Sequence, residues 1–475
     1  MFNRLIRKEN KELMRHSRNY LSGSLVQYLL VAATIPIFTR LLLPSGYGVL
    51  SIFNSLLTLL PIIFGLNFRG GIGRYYLDNE KNDFEAALGS NLLFIISFSI
   101  VVLILLMIFK TRISLFLNID EKVFVYAAII SCTMVSLEIY LRYLNGSQQS
   151  SVYSILSVVR SGLILFSSIG LMLLMKENRY FGKIYGEFVV TLLLSGYSLY
   201  MLVKIAKFSF DWKHVKYTLR FSIPLIPHAM SMFILGYFDR IIINQLSTKL
   251  NTGIYSFAYD VGMAMNVIVM ATTKAWHPIF FQEYNERNTD KINRMVKGYA
   301  KKIYFAAVII ILFSSEVIHI LADSQYYHAI GIVPVIVMGY VFVFLYTLYF
   351  QYASYRKRTE LISLNTFIAG FVNIGLNYWL IPIFGYEVAA HTTLFSYILL
   401  FSLHFINAKY ILKEKTIPLM VLLPHLFILF AIAAIYMYGL VKINHWYFQL
   451  PVKFIITAVS FYIFIYSDTP EEVLN

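Results

Sequence analysis

Four ionisable residues interrupt two apolar segments between Arg220 and Gln282 of this chain of 475 residues. Asp239 and Arg240 lie in the first segment, and Asp260 and Lys274 lie in the second. A charge inside a bilayer costs a few kcal/mol or more, so such residues are usually paired, face water or act on a charged ligand. These residue types therefore predict ion pairing or the binding of an anionic substrate.

The acids and Arg240 are predicted at similar depth on two consecutive helices. At ~1.5 Å rise per residue, Asp239, Arg240 and Asp260 each lie about 9–11 Å below the outer end of their helix. One interpretation is an ion-paired clasp that holds the two helices together. The other is a titratable acid whose protonation loosens the clasp during alternating access, with proton or sodium coupling. The arginine favours the ionised acid, which argues for the clasp.

Lys274 and Arg40 are two further candidate cations near helix ends. Lys274 follows Asp260 on nearly the same helical face but about 21 Å further inward, where it would meet an anionic headgroup entering the membrane. The alternative is that its amine snorkels to the inner interface, and snorkelling is the favoured interpretation for Arg40.

The first half of the chain adds Arg142 and Arg160 as candidate cavity cations. Arg142 lies four residues after Glu138, so the two are expected either to form a helix-local ion pair or to serve in binding and gating. Arg160 has no acid three or four residues away, so it requires a more distant partner or a hydrated cavity. Pro224 and Pro227 are expected to bend or break their helix, as a hinge or as a fixed kink.

Composition sets the class of protein that carries these residues. With 58% hydrophobic and 14% charged residues, the chain has too little polar surface for a soluble protein of this length. We expect an all-α polytopic membrane protein of about 14 transmembrane helices of ~20 residues each, beginning with a span at 20–43. Roughly 26 of the 40 Lys and Arg lie in alternating inter-span segments, which predicts that both termini face the cytoplasm.

The sequence contains no motif of a soluble enzyme or of a metal site. It lacks GxxxxGK[ST], HExxH and GxSxG, and its only cysteine is Cys132. No inter-span segment exceeds about 20 residues, which leaves no room for an extramembrane catalytic domain. We therefore expect a transporter rather than an enzyme, with no metal, cofactor or nucleic acid. A membrane-embedded glycan polymerase or ligase, which would need a long periplasmic loop, is the rival from another class.

A sequence pattern that occurs twice in the chain predicts two six-helix halves. Arg40 and Arg240 each precede a turn and a Gly-aromatic helix start, at Gly46-Tyr47 and Gly253-Ile254-Tyr255. Parallel halves with a substrate site between them are a common transporter plan. The predicted limits are a basic N-terminus at 1–19, helices 1–6 at 20–204, a cytoplasmic linker at 205–219, helices 7–12 at 220–410, helices 13–14 at 411–467 and a tail at 468–475.

Short motifs at the starts of both halves resemble the polysaccharide transporter family of the MOP flippase superfamily. They are RLLLP at 40–44, GYG at 46–48, DR at 239–240, GIYS at 253–256 and AYD at 258–260. The resemblance implies two six-helix lobes around a central cavity, with two further helices alongside. It also implies a bacterial inner-membrane flippase, which moves an undecaprenyl-pyrophosphate-linked oligosaccharide to the periplasmic leaflet for O-antigen, lipopolysaccharide, capsule or exopolysaccharide assembly.

Such a flippase requires cations along a hydrated path, because a pyrophosphate cannot cross hydrocarbon bare. The candidate substrate-binding cations are therefore Arg160, Lys274, Arg142, Arg240 and Arg40, with Asp239, Asp260 and Glu138 as coupling or gating residues. Expected partners are the lipid-linked oligosaccharide, the bilayer and the polysaccharide polymerase machinery. The alternatives on the same fold are a cation-coupled small-molecule or multidrug exporter and a peptidoglycan-precursor (lipid II) flippase.

Overall fold

A computed structural model describes residues 2–78, 81–415, 417–442 and 446–466. Over these residues the chain is built from helices and connecting turns, without a β-strand. The prediction of an all-α membrane protein is confirmed. The chain divides into two compact units, residues 1–233 and 234–475.

The described residues of the first unit form ten α-helices. They are α1 Phe2–Leu41, α2 Pro44–Gly65, α3 Phe68–Asp78, α4 Lys81–Ile108, α5 Lys110–Leu117, α6 Glu121–Gly146, α7 Ser150–Leu174, α8 Tyr180–Ile205, α9 Trp212–Ser222 and α10 Ile226–Phe233. Helix α7 packs against α1 and α8, and α6 packs against α2 and α8. Glycines permit the close approach of α7 and α8, because a Cβ on Gly182 would lie 2.5 Å from the backbone nitrogen of Met172.

Nine α-helices make up the described part of the second unit. They are α11 Asp239–Leu246, α12 Lys249–Asn285, α13 Thr289–Leu312, α14 Ser314–Leu321, α15 Val333–Tyr355, α16 Thr359–Phe384, α17 Val388–Ile406, α18 Leu419–Tyr438 and α19 Trp446–Phe464. A π-helical turn, Ile234–Phe238, precedes α11, and a second one, Asn407–Ile411, follows α17. Helix α15 is the most enclosed of these helices, packed against α12 and α17, and α16 also packs on α17.

Twelve helical segments in the described residues are long and apolar enough to cross a membrane, and one of them is the run Trp212–Leu246, which contains α9, α10 and α11. Helices α13 and α14, bent by 53° at their junction, would together make a thirteenth span. The first predicted span, 20–43, coincides with a shorter apolar stretch of α1, Leu25–Leu41. The chain is thus a multi-pass membrane protein, and a count of fourteen spans stays a prediction.

Side-chain caps fix the starts of α6 and α12, which carry candidate residues, and of α9, which precedes the proline pair. Asp120 accepts a hydrogen bond from the backbone nitrogen of Lys122 at 2.7 Å and so caps α6. Asp211 does the same for α9 through Lys213 at 2.8 Å, and Thr248 caps α12 through Asn251 at 3.1 Å. Each cap satisfies a backbone donor that the first turn of a helix leaves free.

The proline pair lies where the helix changes type. Helix α9 ends at Ser222, Pro224 is in the 3₁₀ turn Ile223–Leu225, and Pro227 is the second residue of α10. Proline lacks a backbone donor and is tolerated in the first turn of a helix, which explains the interruption between α9 and α10. Whether Pro224 and Pro227 act as a hinge stays a prediction.

Candidate functional site: a cationic cavity and a buried acid-arginine cluster

A cavity of about 460 Å³ opens within the first unit between α1, α3, α6 and α7. Its charged lining residues are three arginines and one glutamate, so positive charges exceed negative ones by two. The full lining consists of Gln27, Asn67, Arg69, Gly70, Met134, Leu137, Glu138, Leu141, Arg142, Asn145, Tyr153, Leu156, Ser157 and Arg160. Three of the residues predicted from the sequence, Glu138, Arg142 and Arg160, therefore share one cavity.

Arg160 presents donors to this cavity. Its Nη2 donates to the thioether sulfur of Met134 at 3.5 Å, a weak acceptor. Its Nε is a buried nitrogen with no hydrogen-bond partner among the described residues. Arg160 therefore contributes to the cavity wall a guanidinium that makes only one weak hydrogen bond to the described residues.

Glu138 is paired with an arginine from a different helix. Its Oε1 lies 3.5 Å from Nη1 of Arg69 on α3. Within the described part of the chain, no ion pair joins Glu138 to Arg142, one turn further along α6. The guanidinium of Arg142 instead lies over Gly73, where an added Cβ would be only 2.2 Å from its Nε. Arg142 thus keeps its charge available at the cavity wall.

The second unit contains a buried cluster around Asp239 and Arg240, which are 1% and 4% exposed. Arg240 Nη1 lies 3.6 Å from Asp239 Oδ1 and donates to the carbonyl oxygen of Gly236 at 2.5 Å. The rings of Tyr237 and Tyr259 lie 5.1 and 4.6 Å from the guanidinium carbon. The guanidinium is therefore held by an acid, a carbonyl and two aromatic faces.

The link from α11 to α12 is made by a tyrosine as well as by charge. The Tyr255 hydroxyl donates to Asp239 Oδ2 at 2.5 Å, and the half-buried Asp260 attracts the Arg240 guanidinium electrostatically. The sequence predicts a clasp of Asp239, Arg240 and Asp260, and Tyr255 is a further member that was not among the predicted residues. The signal for it was present, since Tyr255 and Tyr259 are four residues apart and so share a helical face.

Lys274 lines a second cavity of about 340 Å³ between α12 and α15. Its other lining residues are Met270, Thr273, His277, Tyr346, Thr347, Phe350 and Gln351. His277 Nδ1 lies 2.5 Å from Gln351 Oε1, while Lys274 is exposed. Arg40, exposed in the last turn of α1, lines neither cavity and is well placed to interact with the negative end of that helix.

Two buried lysines escaped the sequence analysis. On α8, Lys183 pairs with Glu187 and donates to Asn54 Oδ1 at 3.1 Å. On α19, Lys453 is fully buried, 2.7 Å from Glu316 Oε1 and 2.8 Å from Ser315 Oγ. An i, i+4 pair of opposite charge inside an apolar span was the available signal for the first. Among the described residues, no group of three acids, histidines or cysteines could hold a metal ion.

Sequence comparison relates the chain to a family named for polysaccharide biosynthesis and to two bacterial proteins. The family model named Polysaccharide biosynthesis protein matches residues 18–284. Lsg locus putative protein 1 of Haemophilus influenzae is 23% identical over 287 residues, which are 58% of this chain and 68% of that protein. A second Haemophilus influenzae protein, named uncharacterized membrane protein, is 24% identical over 58% of this chain and 66% of its own length.

Solved structures share the architecture at low sequence identity. The lipid II flippase MurJ in an inward closed conformation aligns with a TM-score of 0.72 at 14% identity, covering 96% of this chain and 99% of that chain. An inward-facing multidrug resistance MATE family transporter of the MOP superfamily aligns with a TM-score of 0.64 at 15% identity, covering 82% and 96%. Since the family match covers more than half of its residues, this chain belongs to the polysaccharide biosynthesis protein family, with the fold of MOP-superfamily transporters.

Proposed function

We propose that the protein is a flippase that moves an undecaprenyl-pyrophosphate-linked oligosaccharide from the cytoplasmic to the periplasmic leaflet of a bacterial inner membrane. The observation that carries this proposal is the cavity lined by Arg69, Arg142 and Arg160 in a transporter fold of the polysaccharide biosynthesis family. We assign the glycan product to O-antigen, capsule or exopolysaccharide assembly, with polymerase machinery downstream.

The charge of the cavity supports a pyrophosphate headgroup. A pyrophosphate diester carries about two negative charges, and the cavity has two positive charges in excess. Arginine binds phosphate oxygens through a planar fork of donors, and Arg69, Arg142 and Arg160 all line the cavity. Polar residues in the cavity wall supply amide and hydroxyl groups that can bind a sugar. They are Gln27, Asn67, Asn145 and Ser157.

Lys274, Arg240 and Arg40 are secondary candidates for contact with the headgroup. The exposed Lys274 borders its own cavity and is the stronger of the three, because Arg240 is already held by Asp239 and two tyrosine rings. We propose that Asp239 and Asp260 maintain the clasp between α11 and α12, and that Glu138 gates the first cavity through Arg69. The direct hydrogen bond from Tyr255 to Asp239 favours the clasp over a titrating switch.

The two alternatives on this fold differ in the charge of their substrates. An exporter of cationic drugs would face repulsion from the three arginines, so the cavity argues against it. A lipid II flippase shares the pyrophosphate chemistry, and MurJ is a close structural match in fold. The family model, named for polysaccharide biosynthesis, favours the oligosaccharide substrate.

A reconstituted flipping assay tests the proposal. Purified protein in proteoliposomes would be supplied with fluorescent undecaprenyl-pyrophosphate oligosaccharide, lipid II or a cationic drug, and the movement of each probe would be followed by reagent accessibility. We expect transfer of the oligosaccharide lipid, at a rate reduced by about tenfold or more in Arg160→Gln. The exposed Arg112 on α5 provides the matched control, and Arg112→Gln should transfer at the normal rate. Transfer of the drug alone would overturn the proposal.

A further inference from the structure

The amphipathic helix α9 exposes a row of basic residues flanked by aromatic side chains. Lys213, Lys216 and Arg220 are all exposed, and their spacing of three and four residues places them on one face. At ~100° per residue, Trp212 lies on one side of this row, and Tyr217 and Phe221 lie on the other. Trp212 is 52% exposed and Phe221 40%. In the described structure none of the three cations lies within ion-pair distance of an acid.

The opposite face of α9 is packed onto its own unit, so the basic face has a fixed direction. The buried residues are His214, Val215, Thr218 and Ser222, and α9 packs on α3 and α4. His214 Nδ1 lies 2.8 Å from the Tyr75 hydroxyl. An added Cβ on Gly71 of α3 would lie 2.5 Å from Ser222 Oγ, which shows how closely the two helices approach.

The segment before α9 is also held in place. The backbone nitrogen of Lys207 donates to the carbonyl oxygen of Glu85 at 2.9 Å, and Ser90 Oγ donates to the carbonyl oxygen of Ser209 at 2.7 Å. Phe208 and Phe210, 57% and 58% exposed, extend the aromatic border of α9. The linker between the predicted sixth and seventh spans is therefore an ordered surface rather than a loose tether.

We propose that this face of α9 binds the headgroups of anionic phospholipids at the membrane surface. Anionic lipids attract clusters of Lys and Arg next to membrane spans, and aromatic rings favour the depth of the headgroups. The α9 helix lies at the start of an apolar span of 35 residues, Trp212–Leu246, whereas about 20 residues suffice to cross. The basic first turns are thus in excess of the spanning length. Charge and aromatic flanks favour a lipid surface over a soluble acidic protein.

The proposed lipid site has a structural route to the first cavity. Helix α9 is bound to α3, and α3 also carries Arg69 of the cavity wall. Anionic lipid would therefore hold the element that positions one cavity arginine. The lipid site itself does not depend on which substrate the protein transports.

Quenching of Trp212 fluorescence by brominated lipids tests the site directly. The full-length protein in phosphatidylcholine nanodiscs would receive equal fractions of dibromo-phosphatidylglycerol or dibromo-phosphatidylcholine, and a Trp212→Phe variant would isolate the Trp212 signal. We expect the phosphatidylglycerol to quench Trp212 at about tenfold lower mole fraction, with the difference declining as salt rises. The variant K213Q/K216Q/R220Q should lose this preference and still be quenched by both lipids.

The charge-preserving variant K213R/K216R/R220K controls for folding and should retain the preference. Equal quenching of the unmodified protein by both lipids would overturn the proposal, and so would a preference that survives in K213Q/K216Q/R220Q. A Trp212 that neither lipid quenches would place α9 away from the bilayer and assign the basic row to water or to a soluble acidic partner. Each of these results is independent of the flipping assay.

Discussion

Glu138 on α6 forms its ion pair with Arg69 on α3, at 3.5 Å, rather than with Arg142 on its own helix. The carboxylate therefore pairs directly with Arg69 and also attracts Arg160 electrostatically, while among the described residues no ion pair joins it to Arg142. In the proposed function, an incoming phosphate competes with Glu138 for Arg69. The glutamate then acts as an internal counter-ion that the substrate displaces.

Removal of this counter-ion should tighten binding. Glu138→Gln raises the excess positive charge of the cavity by one, so we expect the Kd for an isoprenoid pyrophosphate to fall on the order of tenfold at low salt. Release should slow correspondingly and lower the maximal flipping rate. Titration of the purified protein with the pyrophosphate lipid measures the first effect.

The control is Glu121→Gln, at the start of α6, because Glu121 is paired with Lys110 outside the cavity. Unchanged affinity in Glu138→Gln would contradict the counter-ion role.

Gly73 should be required for the position of Arg142. Gly73→Ala places a methyl group where the Arg142 guanidinium now lies, 2.2 Å from Nε, so the arginine must move. We expect flipping to fall to a level similar to that of Arg142→Ala, without loss of the folded protein, because a flexible side chain can yield. Gly170→Ala on α7, where an added Cβ meets nothing within 4 Å, should leave flipping unchanged. Normal activity in Gly73→Ala would show that the guanidinium position is unimportant.

The clasp in the second unit predicts unequal effects on stability. Asp239→Asn removes the ion-pair partner of the buried Arg240, with only the attraction of Asp260 remaining, and should cost about 3–5 kcal/mol. Tyr255→Phe removes one hydrogen bond to the carboxylate and should cost about 1–3 kcal/mol. Thermal unfolding in detergent ranks the variants, and Tyr378→Phe, which loses an exposed hydrogen bond to Gln245, should resemble the unmodified protein.

The double variant D239L/R240M separates the clasp from a general effect of mutation. Replacing both members of a buried ion pair by apolar residues is often neutral or stabilising, so it should unfold at a higher temperature than Asp239→Asn. The opposite ranking would argue against an ion-paired clasp.

The contact between α3 and α9 should weaken in acid. Two contacts hold the pKa of Asp78 below its ordinary value of 3.8. The larger effect is the hydrogen bond from the Tyr217 hydroxyl, at 2.8 Å, and the smaller is the contact with Arg74. A carboxyl whose pKa is depressed by folding stabilises the contact above its unfolded pKa, and this contribution is lost as the pH falls through the folded pKa. We expect proteolytic cleavage near α9 to increase below about pH 4. Asp78→Asn should show the increase already at neutral pH, and no increase in either case would refute the prediction.

The fold could be predicted from the sequence because the pattern that indicates it, a series of long apolar runs, is local. Long apolar runs separated by basic segments predict membrane helices without knowledge of their neighbours, and the matches to solved MOP-superfamily transporters agree. Helix length alone does not fix the number of membrane spans at two places. They are the shorter apolar stretch Leu25–Leu41 and the bent α13–α14 pair.

The site was predictable in its residue types and less so in its contacts. Arginines inside apolar spans indicated Arg142 and Arg160, and both line the first cavity. The Arg69–Glu138 pair joins residues 69 positions apart, and only tertiary packing brings them together. Helical spacing alone suggested a Glu138–Arg142 pair, which Arg69 replaces.

The most direct test of the central claim is the leaflet in which the lipid-linked oligosaccharide accumulates in cells that lack any other flippase for it. We expect the glycan to become accessible at the periplasmic face only when the protein is present. The glycan should remain largely cytoplasmic when the Arg160→Gln variant is expressed. The control variant Arg112→Gln, expressed at the same level, should expose the glycan at the periplasmic face as the unmodified protein does. Equal periplasmic accessibility with and without the protein would contradict the account and leave a small-molecule exporter as the leading interpretation.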